Sequence, residues 1–244
     1  MMKAILTGHT RGLGAAIAAE LLARHIPVLG LARARNTDLA GRFPAMLEEC
    51  ALDLADGAAV AGWLAGATLG RFLDSCGAVL LINNAGTVQP VGPLATQDGT
   101  AIARAVGLNI AAPLMLAGAL AAAGGPALER RILHVSSGAA RNAQAGWSVY
   151  GATKAALDQH ARGVALDKTP GLRICSLAPG VIDTDMQAEL RASSLERFPG
   201  RDRFDALKRE GGLSDAASCA RRLVDYLLSE QFGQAPVADL RQLD

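Results

Sequence analysis

The sequence predicts an α/β fold in which a doubly wound, mostly parallel, seven-stranded sheet carries helices on both faces. Three observations lead there. Short apolar runs alternate with longer helical patterns along the chain. The runs are nearly continuously apolar, as a sheet covered on both faces requires, and do not alternate with polar residues. A glycine-rich turn separates the first run from the first helix.

The strand candidates, in order, are "KAILT", "PVLGLA", "CALDL", "AVLLIN", "RILHVS", "LRICSLA" and a terminal "PVADL". Between the first two lies "GLGAAIAAELLARH", with apolar residues at helical spacing. Further helices are predicted at "TAIARAVGLNIAAPLMLAGALAAA", "SVYGATKAALDQHARGVALD" and "DAASCARRLVDYLLSE". Strand–helix alternation implies parallel βαβ units with right-handed crossovers. The connection after the second strand is short, so little helix is expected between Arg35 and Glu48. One polar, partly helical insertion, residues 183–212, follows a strand. The chain reads as one domain over residues 1–244, with no repeat and no low-complexity linker.

Bulk properties narrow the function. The chain has 244 residues, half of them hydrophobic, and a formal net charge of +1. No strong field points to nucleic acid or to an anionic membrane. Aromatics are only 4%, too few for an obvious base-stacking platform. Cys50, Cys76, Cys175 and Cys219 form no paired motif, which fits a reducing compartment better than a disulfide framework. His9, His25, His134 and His160 show no ligand spacing, so no metal is expected. The start goes straight into a strand-like run without a signal peptide. The longest apolar run, "IAAPLMLAGALAAAGG", is short for a membrane span and broken by Pro113. A buried helix, at a subunit interface, is the better reading, and a cytoplasmic protein is expected.

The turn "TGHTRGLG" places Gly8, Gly12 and Gly14 where the chain must bend sharply and let a pyrophosphate approach the backbone. Unpaired N–H groups and a partial positive charge at the following helix N-terminus favour the same ligand. The spacing departs from the commoner G-x-G-x-x-G, so the generic fingerprint applies loosely. The fold class is accordingly Rossmann-type. The second strand ends in "GLARARN", with Arg33 at its tip, Arg35 close by, and no acid to hold a ribose 2′-hydroxyl. Arg11 adds a cation to the same region. Guanidinium pairs bidentately with phosphate, so NADPH/NADP+ is favoured over the non-phosphorylated dinucleotide. A merely solvated Arg33 is the alternative. Asp53, in "LDLAD", either accepts from an adenine amino group or sits at a helix N-terminus.

Tyr150 and Lys154 are four apart in a predicted helix and share one face. A phenol titrates near 10, too high for easy proton traffic at neutral pH. An ammonium about 4–5 Å away, at an effective dielectric of about 20, favours the phenolate by roughly 3–4 kcal/mol. That corresponds to a fall of about two or three pH units. The pair alone is a weak signal. Its company strengthens it: Ser136 and Ser137 end one strand, "LINNAG" ends another, and Asn109 is polar within an apolar helix.

"TGHTRGLG", "NNAG", Asn109, Ser137, "YGATK" and "LAPGVIDT", in that order, resemble the short-chain dehydrogenase/reductase family over nearly the whole chain. The resemblance implies that Tyr150 is the general acid or base and that Lys154 lowers its pKa and holds the nicotinamide ribose. Ser137 would hydrogen-bond the substrate oxygen, and Asn109 would hold a water linking Lys154 to solvent. Gly8, Thr10, Arg11, Gly12, Leu13 and Gly14 would form the phosphate loop. Asp53, Leu54, Asn83, Ala85 and Gly86 would border the adenosine side. Pro179, Gly180, Ile182 and Thr184 would line the nicotinamide. "NNAGTVQPVGP", "GWSVYGATK", "DTDMQAELR" and "PVADL" further resemble the sepiapterin reductase and benzil reductase branch. That implies an NADPH-dependent carbonyl reductase acting on a vicinal dicarbonyl or a pterin side-chain ketone. Asp239 falls where a pterin-anchoring aspartate would stand, or is a surface residue on the tail. Trp147 walls the substrate pocket or simply packs against the loop. Met186 and Leu190 would belong to a lid within residues 183–212. The alternatives are an NADP-linked alcohol dehydrogenase or other ketone reductase and, remotely, a non-catalytic redox sensor. The resemblance also implies a homodimer or homotetramer built on the apolar helices.

Overall fold

The computed structural model describes residues 1–125 and 127–243; Pro126 and Asp244, within the predicted domain, lie outside the described residues. Seven strands form one sheet: β1 (Met2–Thr7), β2 (Val28–Ala32), β3 (Leu47–Ala51), β4 (Ala78–Asn83), β5 (Glu129–Val135), β6 (Leu172–Ala178) and β7 (Val237–Asp239). Their order is β3-β2-β1-β4-β5-β6-β7, and every pairing is parallel. The chain runs outward from β1 to β3, then crosses back to place β4 on the other side of β1. That reversal opens a crevice at the carboxyl ends of β1 and β4, where ligands of such sheets bind.

Successive side chains of a strand point to opposite faces, and both faces here are apolar. Ala4 and Leu6 of β1 pack with Ile17, Leu21 and Leu22 of α1 (Gly12–Ala23) and Leu223, Val224 and Leu227 of α10 (Ala216–Leu228). Ile5 of β1 faces the other way, toward Val60 of α3 (Gly57–Ala65) and Leu116 and Leu120 of α6 (Ala112–Ala122). Ala161 of α7 (Ser148–Leu166) completes that second layer. Fully buried β2 and near-fully buried β4 are therefore apolar apart from Asn83 at the end of β4.

Three departures from the sequence reading have local causes, while the connection between Arg35 and Glu48 is as short of helix as expected. The third strand covers Leu47–Ala51, not "CALDL", because the register pairs Val28 with Leu47 and Ala32 with Ala51. It is an edge strand and carries Glu48 and Glu49, so apolarity marks the residues after it instead. Leu52 and Leu54 are buried beyond its end. Two helices were not foreseen, α3 and α4 (Thr68–Leu73); Asp56 caps α3 by accepting from Ala58 N and Ala59 N. Between Arg35 and Glu48 only the six-residue α2 (Thr37–Arg42) forms, capped by Asn36. The long apolar helix is split into α5 (Gly99–Val106), a π-helical turn Gly107–Ala111, and α6, which opens with Pro113. Residues 99–122 are long and apolar enough to cross a membrane by length and composition. Here they pack on the sheet and carry Asn109 toward its carboxyl edge. The insertion 183–212 holds α8 (Asp185–Arg191) and α9 (Arg201–Arg209).

His134 on β5 is wholly buried, accepting at Nδ1 from Asn83 Nδ2 (3.1 Å) and meeting His160 Nδ1 through Nε2 (3.0 Å). Burial pushes its pKa down to about 3, with the neighbouring His160 and Lys154 adding to the shift. Between that value and the ordinary 6.5, the unfolded chain binds a proton that the folded chain refuses. Stability is therefore lost as pH falls below the ordinary value, by about 1.4 kcal/mol per unit from this residue. Urea unfolding at about pH 7, 5.5 and 4.5 is expected to show a flatter pH dependence for His134→Gln than for the parent chain. Parallel curves would remove His134 as the source.

Candidate active site

A cleft of about 1030 Å³ opens along the carboxyl edge of the sheet, from the β1–α1 turn to the α8–α9 insertion. Its first wall is the glycine turn: Gly8, Thr10, Arg11, Gly12, Leu13 and Gly14 all line it. A Cβ on Gly14 would stand 2.0 Å from the Gly8 carbonyl oxygen, so no larger residue allows this turn. Asn84, from the segment after β4, braces the turn from behind, donating to Thr7 O (3.0 Å) and Gly8 O (3.2 Å). Arg11 is the N-cap of α1 yet makes no side-chain cap, leaving the first-turn N–H groups without a side-chain acceptor. A backbone cradle with uncapped donors fits the pyrophosphate of a dinucleotide.

Beyond the turn, Arg33 at the end of β2 is exposed and lines the cleft, with no carboxylate at the strand tip. Arg35 is not part of the wall. Asp53 and Leu54 line the same end. Asp53 accepts from Ala55 N (3.0 Å) and pairs with Arg104 (3.2 Å), contacts that hold its carboxyl below the usual range. It is not the helix cap; Asp56 is. Ala85 and Gly86 border the cleft, but Asn83 does not. Its amide is buried, donating to Pro113 O (3.4 Å) and His134 Nδ1. Strand alternation turns Asn83 into the core, and the next residue, Asn84, takes the place at the wall.

The catalytic candidates meet at the middle of the cleft. Tyr150, Lys154 and Ser137 all line it. Lys154 is 5% exposed and donates to Val135 O at 2.8 Å; its Nζ lies 5.8 Å from the centre of the Tyr150 ring. Burial brings the ammonium down to about 8, against the opposing charge of Asp158. The phenol does not follow the expected direction. Burial raises the pKa of Tyr150, and the nearby Ser137 hydroxyl opposes that rise only in part. Desolvation of the phenolate outweighs any help from the lysine in the ligand-free cleft.

Asn109 sits in the π-helical turn behind these groups and outside the cleft wall. Its Nδ2 donates to Thr87 O (2.9 Å) and Thr153 Oγ1 (3.0 Å), and its Oδ1 accepts from Thr87 N (2.9 Å). One lone pair on Oδ1 stays free. A Cβ on Gly86 would lie 3.3 Å from that oxygen and 3.5 Å from Lys154 Nζ, so both groups converge on one backbone point.

Pro179, Gly180, Ile182 and Thr184, on the segment after β6, form the opposite wall. On the far side of Tyr150, Trp147 is buried, edge-on to the phenol ring (5.0 Å between centres), stacked on Phe198 (4.9 Å) and tilted against Phe204 (5.6 Å). It both lines the cleft and packs on the insertion. Met186 and Leu190 of α8, with Phe204 and Leu207 of α9, complete an apolar end. Asp239 is a correction to both sequence readings. It is 6% exposed, is not part of the wall, and is engaged by Arg241 through Nε (2.9 Å) and Nη2 (2.6 Å). Arg241, which sequence reasoning passed over, is the residue of the C-terminal segment that reaches the cleft. Asn84 lies within "NNAG", where Asn83 was singled out in its place; Phe204 and Arg241 were missed because neither spacing nor a neighbouring motif marks them.

A family model described as short chain dehydrogenase matches residues 2–195. A benzil reductase ((S)-benzoin forming) of Bacillus cereus is 33% identical over 97% of this chain and 98% of its own length. A sepiapterin reductase of Meriones unguiculatus is 33% identical over 93% of this chain and 92% of its own. A short-chain dehydrogenase/reductase structure from Burkholderia vietnamiensis is 51% identical, with a TM-score of 0.73, over 100% of this chain and 98% of that one. A short chain dehydrogenase from Burkholderia cenocepacia, solved with NADP, is 25% identical with a TM-score of 0.77, covering 97% and 94% of the two chains. On the matched family model, the near full-length relatives and the all-parallel sheet, the chain belongs to the short chain dehydrogenase family of oxidoreductases.

Proposed function

We propose that the protein is an NADPH-dependent carbonyl reductase whose substrate is a ketone next to a second carbonyl, of the benzil type. The observation that carries the reading is the meeting of Tyr150, Ser137 and Lys154 at the cleft floor beside the apolar wall of Trp147 and Phe204. A flat aromatic ketone buries its rings on such a wall. The pterin reading is less favoured, since the Asp239 carboxylate is already engaged by Arg241 and is not free to anchor an amine.

When bound, NADPH supplies the hydride that reaches the carbonyl carbon. The residues of the chain do the rest. Tyr150 gives its phenolic proton to the carbonyl oxygen, and Ser137 donates a hydrogen bond to the same oxygen. Lys154 offers its ammonium to the developing phenolate and to the nicotinamide ribose. Its midpoint near 8 leaves it mostly charged at neutral pH. The free lone pair of Asn109 holds a water that passes protons on toward Lys154. Arg33 would hold the 2′-phosphate, the glycine turn the pyrophosphate, and Thr184 the carboxamide. The segment 183–212 closes over the substrate as a lid, with Met186 and Leu190 facing it. We further propose a homodimer or homotetramer, supported by the exposed apolar Val106 (40%) and Leu166 (79%) at the ends of α5 and α7.

Three measurements test the proposal. Tyr150→Phe is expected to lower kcat/KM for benzil reduction at least about 100-fold, the range of general acid catalysis, while NADPH fluorescence titration changes little. An active phenylalanine variant would sink the mechanism, and faster turnover of sepiapterin than of benzil by the parent protein would reverse the substrate preference. Arg33→Ala is expected to weaken NADPH binding about tenfold or more and NADH binding hardly at all; equal losses would remove the phosphate assignment. Light scattering is expected to give twice or four times the 25.1 kDa chain mass, and a monomer at micromolar concentration would refute the assembly.

A further inference from the structure

Helix α7 grips the carboxyl edge of the sheet at two levels. Lys154 holds Val135 O. Asp158, four residues on and on the same helix face, accepts from the hydroxyl of the next residue, Ser136, at 2.8 Å. The residue after that is Ser137, which shares the cleft wall with Tyr150. Asp158 is only 2% exposed, yet accepts two further bonds, from Ser176 Oγ on β6 (2.8 Å) and Arg141 Nε (2.9 Å). Arg141 extends the tie to β7 through Ala238 O at 3.1 Å. Burying a carboxylate is costly even when it is paired, and an apolar residue of similar volume is often no less stable in such a place. The network therefore asks for a purpose beyond cohesion.

We propose that Asp158 is a positioning residue for the reaction: it keeps the Lys154 ammonium charged and, through Ser136, fixes Ser137 against Tyr150. This rests on the carbonyl reductase reading of the site. Lys154 faces Tyr150 and Asp158 from its own helix and His134 from β5. Asp158 in turn faces Arg141 from the loop after β5, and Cys175 and Ser176 from β6. Asp158 is the carboxylate whose charge reaches Lys154, and it opposes the loss of the lysine proton that burial promotes. Arg141 draws on the same carboxylate from the other side.

Lys3, Lys154, Lys168 and Lys208 are the lysines of the chain, so ¹³Cε-lysine labelling gives a spectrum that Lys154→Arg assigns. Asp158→Asn keeps the shape and an acceptor for the serines. In it, the Lys154 titration midpoint is expected to fall by about one pH unit or more. The alkaline limb of kcat for ketone reduction is expected to fall with it, giving about tenfold lower kcat near pH 8 and a ketone KM within about threefold of the parent value. The spectrum needs neither cofactor nor substrate, so it decides the lysine's charge even if the parent protein reduces no carbonyl. An unmoved midpoint in folded Asp158→Asn overturns the proposal, as does a midpoint that falls while the kcat limb stays in place. Should the variant lose its circular dichroism, Arg141→Met decides: removal of the competing cation is expected to raise the Lys154 midpoint, and an unchanged value overturns the assignment.

Discussion

The hydrogen bond from the Lys154 ammonium to the Val135 carbonyl is the constraint on which the cleft depends. An ammonium stripped of water is stable only where oxygen atoms replace its hydration. Here one of those oxygens belongs to the last residue of β5, so the charge cannot be satisfied unless α7 lies against the end of that strand. Once it does, the positions of the other groups follow. Tyr150 is one helical turn earlier on the same face, and Ser137 is two residues beyond Val135, so both line the same cleft. Gly86 sits where a Cβ would crowd Asn109 Oδ1 (3.3 Å) and touch Lys154 Nζ (3.5 Å), so a small residue suits the position. The π-helical turn at Gly107–Ala111 brings Asn109 into the group, bonded to Thr87 on one side and Thr153 of α7 on the other.

The same burial explains why the phenol is not acidic in the ligand-free cleft. Arithmetic on an isolated pair of charges in a moderate dielectric favours the phenolate. A side chain with 7% exposure also loses the hydration of its own anion, and that loss is the larger effect. In the proposed reaction the imbalance is useful. A phenol that holds its proton at neutral pH is a competent donor to a carbonyl oxygen, and the cationic product nicotinamide would lower the cost of the phenolate left behind.

Much of this was legible in the residues. "AVLLIN" and "LRICSLA" are continuous apolar runs in central strands, and the structure keeps their limits unchanged. "CALDL" misled because the edge strand before it carries Glu48 and Glu49, one of which is tied down by His9 at 2.8 Å. Apolarity reports burial, and at a sheet edge burial and strand part company. The glycine turn and the Tyr150–Lys154 spacing were readable because they depend on local geometry. The apolar end of the cleft was not. Trp147, Phe198 and Phe204 lie up to 57 residues apart and meet only because the insertion folds back over α7. Asp239 was misplaced for a related reason: its position along the chain was right, while the Arg241 that neutralises it comes from the turn just after.

The distribution of arginines along the cleft gives the cofactor reading a physical basis that motif spacing cannot. Three of them are matched by carboxylates: Arg11 by Asp185, Arg104 by Asp53 and Arg241 by Asp239. A ligand phosphate meeting such a pair must share the guanidinium with the acid, although the exposed pairs themselves contribute little. Arg33 and Arg203 make no ion pair among the described residues. Arg203 stands on α9, over the apolar end of the cleft. Arg33 stands at the tip of β2, one strand away from the glycine turn, where a pyrophosphate held by the α1 N-terminus would leave its adenosine ribose. The unmatched positive charge at that end of the cleft is thus concentrated in a single guanidinium. Its fork can take up a second phosphate without breaking an existing bond, whereas a ribose hydroxyl would leave most of its donors facing water.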